Sequence, residues 1–372
     1  MSRFQFELAT DDDDRALREL VAESPMPGAV SVTFRREPSF LGAMKVNGPL
    51  CQVIVIRDRT TGRIVGLGSR SVRNMFVNGR TQPVGYLGNL RIAKPYRGAG
   101  LLARGYAFLR ECHAEGPARM YLTTITDENH RAIQLLTSRR AGLPSYHYAG
   151  KYHTLVVPLG KRRPRVKNPD PAVSVRPIQP GDVNGLLEFL QAAGPERQFF
   201  PDYSADEFFT GEAKFKDLEP SDVLAAYRDG EIVGTLAAWN QRGFRQIAID
   251  GYAGHLRWMR LAVNGWAGLS GRPRLPAPGS ELRYVTAAIP VVRGDDPVVF
   301  AALLGSLMGR LAAEPHDFLL VGLHEDDPLL PVARAFSASS YRAQLYYVCW
   351  DDGEPIRKGL DARVPYMELG CL

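Results

Sequence analysis

The run Tyr96-Arg97-Gly98-Ala99-Gly100-Leu101-Leu102 holds the residue types that an anion site needs, in a usable order. The two glycines let the backbone approach a ligand with no Cβ in the way. A helix beginning at Leu101 would leave about four amide hydrogens unpaired at its positive end. Arg97 adds a full cationic charge, and residues 85–104 contain no Asp or Glu to oppose a negative ligand. A diphosphate is the ligand that suits such a turn. For a Gly-x-Gly pair alone, the simpler reading is a tight βα connection with no ligand.

The flanking residues decide whether the turn is placed to work. Leu87, Leu90 and Ile92 suggest a strand that Lys94-Pro95 ends. From Leu101 onward the pattern is helical: Leu102, Tyr106 and Leu109 form one row, with Leu101, Phe108 and Cys112 beside it. Gly116-Pro117 stops that helix, and a strand over residues 120–126 follows. The same order recurs, because Arg293-Gly294 lies 196 residues after Arg97-Gly98 and also joins a strand to an apolar helix. Polar turns leading into Ile-Val-Gly strands, at residues 57–68 and 227–237, extend the parallel. The repetition predicts two duplicated α/β units.

Residues 161–171, KRRPRVKNPDP, carry five basic residues and three prolines and cannot pack a core. They read as a linker between units 1–160 and 172–372, with a basic arm for nucleic acid as the rival. Aromatic residues that would stack on bases are missing from it, which disfavours nucleic acid. Each unit opens on a capped helix. Asp11, Asp12, Asp13 and Asp14 precede Leu17, Leu20 and Val21, and Asp182 precedes Val183, Leu186, Leu187 and Leu190.

The run at 97–102 resembles the Gln/Arg-x-x-Gly-x-Gly/Ala signature of the GCN5-related N-acetyltransferase (GNAT) superfamily, matching at Arg97 and Gly100 and departing at Leu102. The resemblance continues at Asn129, Ala132 and Leu135, on the family's Asn-x-x-Ala-x-x-Leu-Tyr helix, and at Gly142-Leu143. It implies two tandem GNAT-like domains, each a mixed, mostly antiparallel central sheet flanked by helices. It further implies acetyl-coenzyme A as co-substrate, held by Arg97, Gly98, Ala99, Gly100, Leu101 and Leu102 at the diphosphate. The pantetheine arm would lie along Leu90, Arg91 and Ile92 in a gap between two splayed strands, near Asn129. Asn129 is equally a helix cap. The activity implied is N-acetyl transfer to a small-molecule or peptide amine by direct attack, with a non-catalytic acyl-coenzyme A sensor as the alternative.

Proton-transfer groups are less legible. Many relatives place a Tyr where this chain has Leu136. Asp127 and Tyr146 are the weak candidates, Asp127 being also a cap type, and Tyr146, His147, Tyr148 and His153 also reading as ordinary strand residues. By the same resemblance, the stretch 26–39 after the first helix would meet the acceptor; there Arg35 and Arg36 read as a solvated pair, or as a site for an acidic substrate. In the second unit, Asp295, Asp296 and Pro297 stand where the phosphates would go, so that unit is expected to bind no cofactor.

Composition narrows the class. With 45% hydrophobic and 23% charged residues the chain is globular, and its 372 residues exceed one ordinary core. The four cysteines stand singly, so neither a disulfide framework nor a metal site is expected. No apolar run is long enough for a membrane span, and the N-terminus does not read as a signal peptide. A cytoplasmic protein with no membrane partner is the expectation, and the oligomeric state is left open. The net charge of +6 suits a polyanionic ligand but selects none, since 46 basic residues are interspersed with 40 acidic ones.

Overall fold

The computed structural model describes residues 2–26, 28–98, 100–138, 142–160, 170–209, 214–270 and 273–372. The linker reading falls mostly on residues 161–169, and Ala99 of the glycine turn is also outside the described residues. In the first half the strands are β1 (Phe4–Leu8), β2 (Val30–Arg35), β3 (Leu50–Asp58), β4 (Ile64–Val77), β5 (Arg80–Ile92), β6 (Met120–Thr126) and β7 (Ser145–Pro158). Its helices are α1 (Asp14–Ala22), α2 (Phe40–Met44), α3 (Leu101–Glu115) and α4 (His130–Leu136). The second half contributes β8 (Val173–Pro177), β9 (Phe200–Pro201), β10 (Val223–Arg228), β11 (Glu231–Trp239), β12 (Gln246–Tyr252), β13 (Tyr284–Val292), β14 (Phe318–His324) and β15 (Ser339–Cys349). Its helices are α5 (Val183–Ala193), α6 (His255–Ser270), α7 (Pro297–Leu311), α8 (Leu330–Phe336) and α9 (Glu354–Lys358).

The helix starts follow the capping chemistry. Thr10 N–H donates to Asp13 Oδ2 at 3.0 Å ahead of α1, and Gln179 N–H to Asp182 Oδ2 at 2.8 Å ahead of α5. Strand alternation then sorts side chains to the two faces of the sheet. Val53 and Val55 of β3 join Leu17, Leu20 and Val21 of α1, whereas Ile54 joins Tyr106 and Leu109 of α3. In the second half, Phe300, Leu303, Leu304 and Leu307 of α7 pack on Val321, Leu323 and Leu236.

One sheet runs through both halves, in the order β1-β3-β4-β5-β6-β15-β7-β14-β13-β11-β10-β8. Its centre is an exchange. β15 of the second half enters between β6 and β7, and β7 of the first half enters between β15 and β14. The pattern is symmetric, as two copies of one unit lending each other a last strand would make it. The boundary at 160 is therefore not a break in the sheet. A second link runs the other way: β12 lies between β11 and β13 in sequence but pairs with β2 of the first half, in a separate two-stranded sheet.

This exchange predicts how fragments behave. Residues 1–160 alone leave β6 and β7 without β15 between them, exposing strand edges that need partners. Expressed alone, that piece is expected to show no cooperative thermal transition. Co-expressed with residues 161–372 it is expected to co-purify as an equimolar complex that melts cooperatively. A soluble, cooperatively melting 1–160 fragment would contradict the exchange.

Candidate active-site cleft

The cleft begins where β5 and β6 part. Their parallel ladder pairs only Gly85 with Tyr121 and Tyr86 with Leu122. Gly85 permits this contact, since a Cβ there would sit 2.1 Å from Cδ1 of Tyr121. Just beyond, side chains replace ladder bonds: Thr123 Oγ1 donates to Leu87 O at 2.7 Å, and the Tyr86 and Thr124 hydroxyls pair at 2.9 Å. On the other edge of β5 a bulge interrupts pairing with β4 between Leu67 and Ser69, and Asn89 there has φ +55°. After the bulge β5 leaves β6 altogether.

Ala93 N–H donates to Val65 O at 2.8 Å, so alternation turns the Arg91 backbone toward β4 and the Ile92 backbone toward the gap. Of the three residues expected to bind the pantetheine arm through their backbones, Arg91 is thus already engaged on the β4 side. Ile92 O accepts Nε of Arg97 at 3.0 Å. That bond holds the exposed guanidinium beside the turn.

The turn itself is open. Gly98 and Gly100 have φ of +95° and +69°, and a Cβ at either would meet nothing within 4 Å. Glycine is required there by backbone conformation, with free space around it. Gly100 caps the fifteen-residue α3 without a side-chain bond, and no acid occupies the first turn. The amides that begin α3 therefore face a cleft of about 1290 Å³, lined by Arg97, Gly98, Gly100, Leu101, Leu102 and Ala103 among others. Arg91, Lys94 and Arg131 also line it, against Glu23 and Glu128. A smaller cavity of about 220 Å³ continues between the splayed strands past Leu90, Ile125, Leu136 and Tyr146.

The equivalent place in the second half is closed by the chain. Asp296 Oδ1 accepts from Val298 N–H at 2.9 Å and from Val299 N–H at 3.4 Å, capping α7. Arg228 pairs with Asp296 at 3.2 Å, and Arg197 pairs with Asp295. The gap beyond the β13–β14 pairing is also taken: Ile289 N–H donates to Oε2 of buried Glu368 at 2.9 Å. Leu369 packs so close to β14 that a Cβ on Gly322 would lie 2.8 Å from its Cβ.

The remaining expected residues fall as follows. Asn129 lines both cavities, and its Oδ1 also caps α4 by accepting from Ala132 N–H at 3.2 Å. Asp127 is not among the lining residues; its Oδ2 sits 3.5 Å from Arg342 Nε and 3.8 Å from Lys151 Nζ. Tyr146 lines the inner cavity, its hydroxyl paired with that of Tyr106, and burial pushes its pKa well above the ordinary value. Leu136 is buried in the same wall. His147 turns away to Glu354 at 2.6 Å. Glu354 also accepts from Cys349 Sγ at 3.3 Å and from Arg357 Nη2 at 2.9 Å, so internal bonds already link this group of metal-ligand types.

The reading of Arg36 as a solvated residue is corrected. β2 pairs with β12, and the fold buries Arg36 to 8% exposure. Among the described residues, its Nη1 donates to the neighbouring Arg35 carbonyl and its Nε has no partner. Burial, with Arg245 and Arg91 nearby, pushes its pKa down to about 9. Arg91 Nε is likewise buried and unpartnered. Nothing in the sequence marks Arg36 for burial, because β12, which pairs with β2, comes from the second half.

No protein-family model matches the sequence, and no curated protein does. Solved structures do. The GCN5-related glucosamine N-acetyltransferase region of a fungal multi-domain GH3 β-N-acetylglucosaminidase superposes with a TM-score of 0.60 at 14% identity, over 93% of this chain and 38% of that one. Saccharomyces cerevisiae N-myristoyltransferase with bound myristoyl-CoA gives 0.58 at 12% identity, over 94% and 83%. A GCN5-related N-acetyltransferase from Sphaerobacter thermophilus gives 0.56 at 14% identity, over 98% and 99%. At such identities the likeness establishes architecture, and it agrees with the splayed strands and the glycine turn. The chain has the fold of the GCN5-related N-acetyltransferases.

Proposed function

We propose that this protein is an N-acyltransferase that moves an acyl group, acetyl in the simplest case, from coenzyme A to an amine in the cleft of its first half. The observation that carries the reading is the uncapped start of α3 opening onto the gap between β5 and β6. There the diphosphate would accept from the amides of Leu101, Leu102 and Ala103, with Arg97 beside it. The pantetheine arm would add to the open edge of β5, using backbone groups of Leu90 and Ile92 as an extra strand does. Asn129 would border it.

Chemistry would follow from placement. A neutral amine attacks the thioester carbonyl, and a nearby amide hydrogen stabilises the oxyanion of the tetrahedral intermediate. Its collapse breaks the C–S bond and releases coenzyme A thiolate, while the amine's proton passes to water or a base. Tyr146 stays protonated because burial disfavours its phenolate, so it supports a role as hydrogen-bond donor to that thiolate. Arg91, which lines the cleft and whose Nε is buried without a bond among the described residues, supports an acceptor that carries an anionic group. In this reading the second half takes no acyl-coenzyme A, since its own acids occupy the equivalent donors. A non-catalytic acyl-coenzyme A sensor would bind the thioester yet release no thiol with any amine.

Isothermal titration should show acetyl-coenzyme A binding, and Arg97→Ala should weaken it roughly 10–100-fold through loss of one charged hydrogen-bonding group. No heat at millimolar ligand would remove the proposal. Tyr146→Phe should lower kcat by about 100-fold in a thiol-release assay while cofactor affinity stays unchanged; an unaltered kcat would excuse Tyr146 from the reaction. Arg36→Met should raise the melting temperature of the unliganded protein by about 2 °C or more, because it removes a buried cation that lacks a counter-charge. Arg91→Met, in the wall of the cleft, should raise KM for acidic amines and leave neutral amines unaffected. A lowered melting temperature would mark Arg36 as structural.

A further inference from the structure

Helix α6 presents its apolar stripe to solvent. Trp258, Leu261 and Leu269 are 80%, 77% and 88% exposed, with Met259 at 53% and Trp266 at 55%. Among the described residues these are five of the ten exposed large hydrophobic side chains, so one helix concentrates half of them. Trp258, Leu261, Ala262, Gly265 and Leu269 follow helical spacing along one face. The opposite face is anchored. Ala267 is 2% exposed, and the Asn264 side chain donates to Leu275 O at 3.0 Å and accepts from Leu275 N–H at 2.7 Å. A held helix with an outward apolar face of this kind marks an interaction surface.

Charge identifies what the surface fits. Between Asp250 and Glu281 the chain carries Arg257, Arg260, Arg272 and Arg274 and no acid, and Arg274 shares a surface hollow with Glu281, Arg283 and Asp317. Arg257 and Arg274 are exposed, and the Arg257 guanidinium lies 5.6 Å from the centre of the Trp258 ring. Asp250, which borders the stretch, is bonded to Thr33 Oγ1 at 2.7 Å. Indoles and leucines flanked by arginines match a bilayer interface in which acyl chains lie beneath anionic phosphates. We propose that α6 docks this protein on membrane surfaces containing anionic phospholipid, lying in the plane of the interface. No described helix is long and apolar enough to cross a membrane, and α6, about 24 Å long, would lie along it.

The residues that lead into α6 touch the segment that borders the cleft. β12, which leads into α6, pairs with β2, and Ala253 N–H donates to Ala29 O at 3.0 Å. Met26 and Ser31, on either side of that loop, line the cleft. A membrane held by α6 is therefore joined through β12 to the segment that lines one wall of the cleft. This departs from the expectation of no membrane partner, because the sequence pattern of α6 does not say which of its faces is buried.

The test uses the full chain and vesicles of phosphatidylcholine, alone or mixed with phosphatidylglycerol. Tryptophan emission reports on α6, since Trp239 and Trp350 are buried at 0% and 8% exposure. The expected result is a blue shift and co-sedimentation with the anionic vesicles only, weakening as salt rises. Trp258→Ser combined with Leu261→Ser should keep the wild-type melting temperature and lose more than about tenfold in vesicle binding. Arg257→Gln combined with Arg274→Gln should abolish the preference for anionic lipid. Absence of binding to both vesicle types at low salt overturns the proposal, as does a Trp258/Leu261 variant that binds like wild type. A protein that ignores vesicles but forms a dimer lost in the same variant, by analytical ultracentrifugation, overturns it in favour of a second copy. None of these readouts needs acyl transfer, so the proposal stands or falls apart from the enzymatic reading.

Discussion

The parting of β5 and β6 is the constraint on which the rest depends. Backbone amides and carbonyls removed from a ladder must find other partners or remain open to ligand. On the near side of the fork the protein supplies them itself, through the Thr123 hydroxyl on Leu87 O and the Tyr86–Thr124 pair. On the far side Arg97 Nε takes Ile92 O, and the gap leads to the bare start of α3. The second half shows the same fork resolved the other way. There Glu368 takes the Ile289 amide and Asp296 takes the first amides of α7, which leaves the same geometry no donors to offer.

The exchanged strands make this difference possible. Because β15 lies on β6 and β7 on β14, neither half completes its sheet without the other. The halves are thereby fixed in one frame, and the segment after α9 can cross to fill the second fork. Buried groups are recruited from both sides: Arg245 donates to Ala43 O at 3.2 Å and to Gly370 O at 2.7 Å, joining α2 of the first half to the last residues of the second.

The excursion of the second half that carries β12 holds two features that oppose stability. β12 closes on β2, and Arg36 is removed from water with no acid bonded to it among the described residues, an arrangement that costs folding free energy. The same insertion carries α6, whose exposed tryptophans and leucines are also unfavourable in water. Both features sit on one excursion of the second half toward the first. The half that closes its own fork thus shapes the surroundings of the open one.

The sequence by itself determined the local pieces: the glycine turn at Gly98 and Gly100, the strand before it, the helix from Leu101, and the aspartates that seal the second turn. These follow from backbone conformation, capping and short-range periodicity, which act over a few residues and are written in residue type. Its order of elements repeats, which is the ground for expecting a duplication. Only the tertiary structure decided that β7 and β15 trade places, that Arg36 is buried, that Tyr146 lines the inner cavity while Asp127 does not, and that α6 turns its apolar face outward. Each of those depends on pairing between segments far apart in the chain. Strand propensity makes an edge but does not name its partner, and helical periodicity makes a stripe but does not say what covers it.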